Sequence, residues 1–148
     1  MTLNVKLRLT TPFLGEMLPG RDGVRRFRKQ GNCILIDSGH WLEQFRQAAH
    51  FTGTRVDCAA VFPPSVLLAA SYHNYRREYS KVKVEHFESF RKGTILSTQL
   101  EIMNKPQAPT LEQMKHILDY VGAQLGLSPW GSKFGFGRFE VYELTKSC

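Results

Sequence analysis

Residues 3–10 alternate, with Leu3, Val5, Leu7 and Leu9 on one side and Asn4, Lys6, Arg8 and Thr10 on the other. A period of two predicts a half-buried strand whose second face is basic. Residues 12–31 lose this period and gather glycine, proline and charge, which predicts a long loop or a loop with a short hairpin. Residues 33–36 are a short apolar strand. Asp37 or Ser38 can then cap a helix over 39–51, in which Trp41, Leu42, Phe45, Ala48 and Ala49 fall at helical spacing and Gly53 marks the end.

The stretch 55–103 reads as β structure. Strands are predicted over 56–62 and 66–72 around Pro63-Pro64, and over 81–87, where Val82 and Val84 alternate with Lys81, Lys83 and Glu85. Arg91-Lys92-Gly93 makes a turn into a further alternating strand over 94–103. Thr110 with Gln113 forms a capping box. Behind it Leu111, Met114, Ile117, Leu118, Val121 and Leu125 make one apolar stripe, and Gly126 with Pro129 stops the helix. Residues 139–144 are a closing strand.

Reduced to its long elements, this is the β-α-β-β-α-β order of a ferredoxin-like α+β fold, with extra hairpins after the first strand and in the middle. Both helices are expected on one face of an antiparallel sheet, leaving the other for solvent or a ligand. A chain of 148 residues without a repeat or linker is expected to form one domain over 1–148.

Composition adds a direction. Twenty Lys and Arg against 13 acidic residues give a formal charge of +7. That excess favours an anionic partner, nucleic acid first and an anionic membrane surface second. The three cysteines are widely spaced and form no CxxC pair, which suggests neither a disulfide framework nor a zinc site. With no signal-peptide pattern and no apolar run of spanning length, the expected setting is the cytoplasm, with no membrane as partner.

The densest chemistry is the run Gly131-Ser-Lys-Phe-Gly-Phe-Gly-Arg138, between the second helix and the last strand. Gly131, Gly135 and Gly137 allow close backbone approach, so several N–H groups could converge on one anion. Lys133 and Arg138 add charge, and Trp130, Phe134 and Phe136 offer surfaces for stacking bases. The run is not a nucleotide P-loop, which ends in Gly-Lys-Ser/Thr and opens a helix. A plainer reading makes it a helix-to-strand bulge whose Phe134, Phe136 and Phe139 plug the core.

The stretch 132–141 resembles the C-terminal glycine-rich motif of the RAMP superfamily, the ferredoxin-like RNA-binding proteins of CRISPR complexes. Phe90-Arg-Lys-Gly-Thr94 before a strand is similar to the Gly-Thr that opens a central strand in several members. The resemblance implies RNA-backbone binding at Gly131, Lys133, Gly135, Gly137 and Arg138. The chain is shorter than most such subunits, so a small stand-alone member, such as one carried by a mobile element or phage, fits as well as an effector subunit.

Two basic clusters extend the candidate surface. Arg25-Arg26-Phe27-Arg28-Lys29 sets an aromatic among four cations on an expected loop, and residues 72–79 bring Arg76 and Arg77 among tyrosines. Either cluster can equally be a solvated face. Some RAMP relatives cut RNA without metal through a histidine near the first helix, and His40 is the residue placed for that role. No HxxxH or HExxH pattern or spaced carboxylate cluster is present, so no metal and no cofactor are expected. The leading expectation is binding of RNA or single-stranded DNA without catalysis. The rivals are a metal-independent endoribonuclease using His40, and a protein-interaction module docking on a larger complex.

Overall fold

A computed structural model of the chain describes residues 1–15, 17–31, 33–62, 66–68, 73–78, 84–127 and 134–147, with backbone only for 66–68, 73–78 and 84–85. In chain order the elements are β1 (Thr2–Leu9), β2 (Phe13–Leu14), β3 (Val24–Arg25), β4 (Arg28–Gln30), β5 (Cys33–Leu35) and α1 (Ser38–Thr52). A 3₁₀ turn (Cys58–Ala60), β6 (Val61–Phe62), β7 (Val66–Leu68), β8 (His73–Glu78) and β9 (Val84–Phe90) follow. β10 (Ile95–Ile102), α2 (Leu111–Tyr120), a π-helical turn (Val121–Leu125) and β11 (Phe139–Lys146) complete the described elements.

The alternation of β1 decides the centre of the molecule. Leu3, Val5, Leu7 and Leu9 are each at most 1% exposed. Each buried aliphatic of this kind contributes roughly 2 kcal/mol of burial. β1 pairs antiparallel with β10 on one side and β11 on the other, with a register shift against β11 between Lys6 and Leu7. The sheet runs β11-β1-β10-β7-β5-β4, and β6 also pairs with β10. Its first four strands are the last, first, third and second of a β-α-β-β-α-β plan, which makes the fold ferredoxin-like. Trp41, Phe45 and Ala48 of α1 and Met114, Ile117 and Leu118 of α2 join the β1 side chains in one core cluster.

Asp37 is the cap of α1, accepting from the N–H groups of Gly39 and His40, and Gly53 closes the helix at φ 68°. The capping box of Thr110 and Gln113 starts α2 as the spacing predicts. The α-helix stops at Tyr120, however, and a wider π turn carries the stripe on to Leu125. Gly122 lies in that turn, where a Cβ would meet the Phe139 carbonyl oxygen at 2.2 Å. The close approach of β11 thus requires glycine here.

The middle of the chain differs from the periodic reading. The strand expected over 56–62 is strand only at Val61–Phe62, because Asp57 caps the preceding 3₁₀ turn by accepting from the Ala59 N–H. The strand expected over 66–72 is described at Val66–Leu68. That over 81–87 is described from Val84 and runs on to Phe90, and Gly93 turns the chain at φ 90°.

β9 belongs to a second sheet. It pairs antiparallel with β8 and β2 and parallel with β3, so the insertion after β1 and the one before β10 meet. Phe13, Phe27 and Phe90 form an aromatic knot at this junction, with ring centroids 4.9–6.1 Å apart. Contacts of that geometry add to simple burial. Gly15 lets the chain cross here, since a Cβ would lie 2.5 Å from the Arg26 carbonyl carbon.

Candidate nucleic-acid interface

The glycine-rich run is sewn to the segment after β1. Gly137 donates to the Pro12 carbonyl at 2.7 Å, Arg138 N–H donates to Thr11 Oγ1 at 2.9 Å, and Thr10 N–H donates to the Arg138 carbonyl at 2.9 Å. The Gly137 carbonyl accepts from Leu127 N–H at 2.8 Å. The Gly137 N–H, expected to face an anion, therefore serves the fold, as does that of Arg138. Gly135 stays open: at φ 78° a Cβ would meet nothing within 4 Å.

The three phenylalanines divide. Phe139 is buried and stacks on Trp41 at 6.3 Å between centroids, Phe136 is half-buried, and Phe134 is exposed. Arg138 Nη1 donates to the Ala123 carbonyl at 2.6 Å, closing the end of the π turn, while its Nε is buried without a partner. Gly131, Lys133 and Trp130 lie outside the described residues.

The run Arg25 to Lys29 is not the loop expected. It spans β3 and β4, and its Phe27 is buried in the aromatic knot instead of standing on an exposed loop. Arg26 pairs with Asp22, its Nη1 donating to Oδ1 at 3.1 Å. That hydrogen bond, helped by the Val24 N–H, holds the Asp22 carboxyl down at about 2. Lys29 Nζ reaches the buried Glu88 at 2.6 Å, and the other Glu88 oxygen accepts from the Phe27 N–H at 3.2 Å. A buried carboxylate needs such partners. Lys29 thus fastens β4 to β9, whereas Arg28 is exposed. The backbone of Arg25 pairs with Phe87, and on β8 Arg76 and Arg77 stand opposite His86 and Glu85 in register.

The open face of the main sheet is charge-compensated. Lys6 pairs with Glu143 at 3.1 Å, Arg8 pairs with Glu140, and the Arg8 guanidinium sits over the Tyr142 ring at 5.5 Å. Exposed pairs of this kind stabilise little, but they leave less net charge for a phosphate.

Beside the second sheet, the first turn of α1 faces a cavity of about 250 Å³. Its walls come from distant parts of the chain: Phe13, Leu14 and Met17, then Arg26, Phe27 and Arg28, then Leu35 to Asp37 and His40, and finally Leu127. The cavity brings His40 together with Arg26 and Arg28 of the first basic cluster, which the sequence offers as a separate candidate. Leu127, whose N–H holds the Gly137 carbonyl, ties this cavity to the glycine-rich run. His40 Nε2 is buried with no hydrogen-bond partner. Burial lowers the His40 pKa, against the opposing pull of Asp37 and Glu43, so the neutral imidazole is favoured. Nothing in the local sequence signals the cavity, because its walls are far apart along the chain.

Among the described residues no group of three or more His, Cys, Asp or Glu side chains is placed to hold a metal ion, and no helix is long and apolar enough to cross a membrane.

No family model and no curated protein matches the sequence. Solved structures do match in fold. A chain of a structure described as a Type IV-B CRISPR complex has a TM-score of 0.64 at 11% identity, over 99% of this chain and 91% of that one. A chain of a Type III-B Cmr-beta complex, described as bound to cognate target RNA, has a TM-score of 0.63 at 11% identity, over 97% of this chain and 59% of its own length.

Proposed function

We propose that this chain is a RAMP-like domain that binds RNA, or another single-stranded nucleic acid, without cutting it. The observation that carries the reading is the convergence of Arg26, Arg28 and His40 on one cavity stitched through Leu127 to the glycine-rich run. The fold is shared with a chain of a complex that holds target RNA, and the charge of +7 suits the same partner. Phosphate capture falls to Arg28, Arg138 and the open backbone at Gly135, together with Gly131 and Lys133 of the same run. Gly137 contributes the geometry of the turn. Arg25, Arg26, Lys29, Arg76 and Arg77 form the surrounding field, with Arg26 and Lys29 also held by carboxylates of the fold.

Titration of labelled single-stranded RNA and DNA at two salt concentrations tests this. Gly135→Asp places a carboxylate on the open turn and should weaken binding at least tenfold, which is about 1.4 kcal/mol. Undiminished binding by both Gly135→Asp and Arg138→Ala removes the run from the interface. Failure of every oligonucleotide to bind turns the assignment to a protein-interaction module within a larger complex.

A second reading has its own observation. His40, whose neutral form burial favours, lines one cavity with Arg26 and Arg28, the residue types that a general base acting on a 2′-hydroxyl and its phosphate partners would need. Cleavage in EDTA that disappears in His40→Ala would establish the endoribonuclease.

A further inference from the structure

The same cavity has a property that phosphate binding leaves unused. Its wall is predominantly apolar, with Phe13, Phe27, Leu35, Ile36 and Leu127 around the first turn of α1. A phosphate would lose its hydration there without enough donors to replace it. The cations Arg26 and Arg28 also line the cavity, and Arg28 is exposed. About 250 Å³ lies just under the usual range for drug-sized ligands, so the space suits one flat heterocycle and not a length of strand. His40 lines the cavity through other atoms of its residue, its Nε2 being buried away from the open space.

We propose that the cavity is a base pocket: one unstacked nucleobase of the bound strand enters it, packs on its apolar walls, and leaves its phosphate at Arg28. This rests on the reading of the chain as a single-strand binder and adds a position-specific contact to it. Apolar walls hold the base by contact and desolvation, as aromatic and apolar side chains hold splayed bases in other single-strand sites. Nearby, the Asp22 carboxylate stays paired with Arg26, so negative charge beside the entering nucleotide is partly compensated. Met17, about half exposed, lines the cavity too, where a larger side chain would narrow the space.

An abasic scan of a mixed-sequence single-stranded RNA tests the pocket, with binding measured for the unaltered protein and Met17→Trp. At one position of the bound strand, removal of the base should weaken binding about tenfold, in keeping with the stacking of one base. That penalty should shrink to about twofold or less in Met17→Trp, by the coupling expected of groups in contact. If the intact strand binds but no abasic position stands out, or the penalty is the same in Met17→Trp, the pocket is overturned while the binding function stands. If the intact strand does not bind at all, the binding function falls and the pocket with it.

Discussion

At Gly122 an added Cβ would lie 2.2 Å from the Phe139 carbonyl oxygen, whereas at Gly135 it would meet nothing within 4 Å. The first glycine is where the π turn and β11 press together. The second stands in the open part of the glycine-rich run at φ 78°. Gly137 is intermediate, with positive φ and a backbone nitrogen 3.1 Å from the place of its Cβ. One compositional signal thus covers two physical demands, close packing and open backbone, and only the second can serve a ligand.

The sharpest way to break that comparison is Gly122→Ala. The clash is with backbone and cannot be relieved by a side-chain rotation, so the variant should lose about 3 kcal/mol of stability. Urea unfolding would show it, and an unchanged midpoint would mean that β11 does not press on the π turn. Gly135→Ala should lose only about 1 kcal/mol, the strain of a positive φ in an L residue, and keep its affinity for single-stranded RNA better than Gly135→Asp. Equal affinity losses in the two would point to conformation, not charge, as the requirement.

Arg138→Ala sits between the two regions, since its side chain closes the π turn at Ala123 and its backbone belongs to the run. Loss of that hydrogen bond should lower stability by about 1 kcal/mol. If the guanidinium also meets a phosphate, the slope of log affinity against log salt should fall by about one unit. A stability loss with no change of slope assigns Arg138 to the fold alone.

The smallest effect concerns His40. Its folded pKa lies below the ordinary 6.5 because burial disfavours the imidazolium. Below 6.5 the unfolded chain therefore takes up the proton more readily than the folded one, and stability falls as pH drops through that window. Above 6.5 the contribution is fully present. Thermal midpoints measured across this range should drop more steeply for the unaltered protein than for His40→Leu, and parallel curves would show that the ring is solvated.

The long elements were legible because their signals are local and repeated. β1 alternates over its full length, α1 has its Asp37 cap, and α2 has both a capping box and a continuous stripe. The short strands of the insertions escaped the periodic reading, being two or three residues long. Phe27 was hidden by the cations around it, and the fate of Lys29 depends on Glu88, which lies 59 residues away. His40, Arg26 and Arg28 were each readable as candidates by residue type. Their meeting in one cavity was not, because it depends on how β2, β4, β5 and α1 pack.

β1 has a consequence for how the chain assembles. Its two partners are β10 and β11, so Leu9 waits for Phe139 and Leu3 for Lys146. Pairings so distant along the chain are slow to form. During synthesis β1 emerges with its apolar row complete and both hydrogen-bonding edges vacant; β10 can cover one edge, and the other stays open until β11 is made. A nascent or shortened product stopped before β11 would present a long, sticky edge to its neighbours, a setting that favours chaperone capture or aggregation over function.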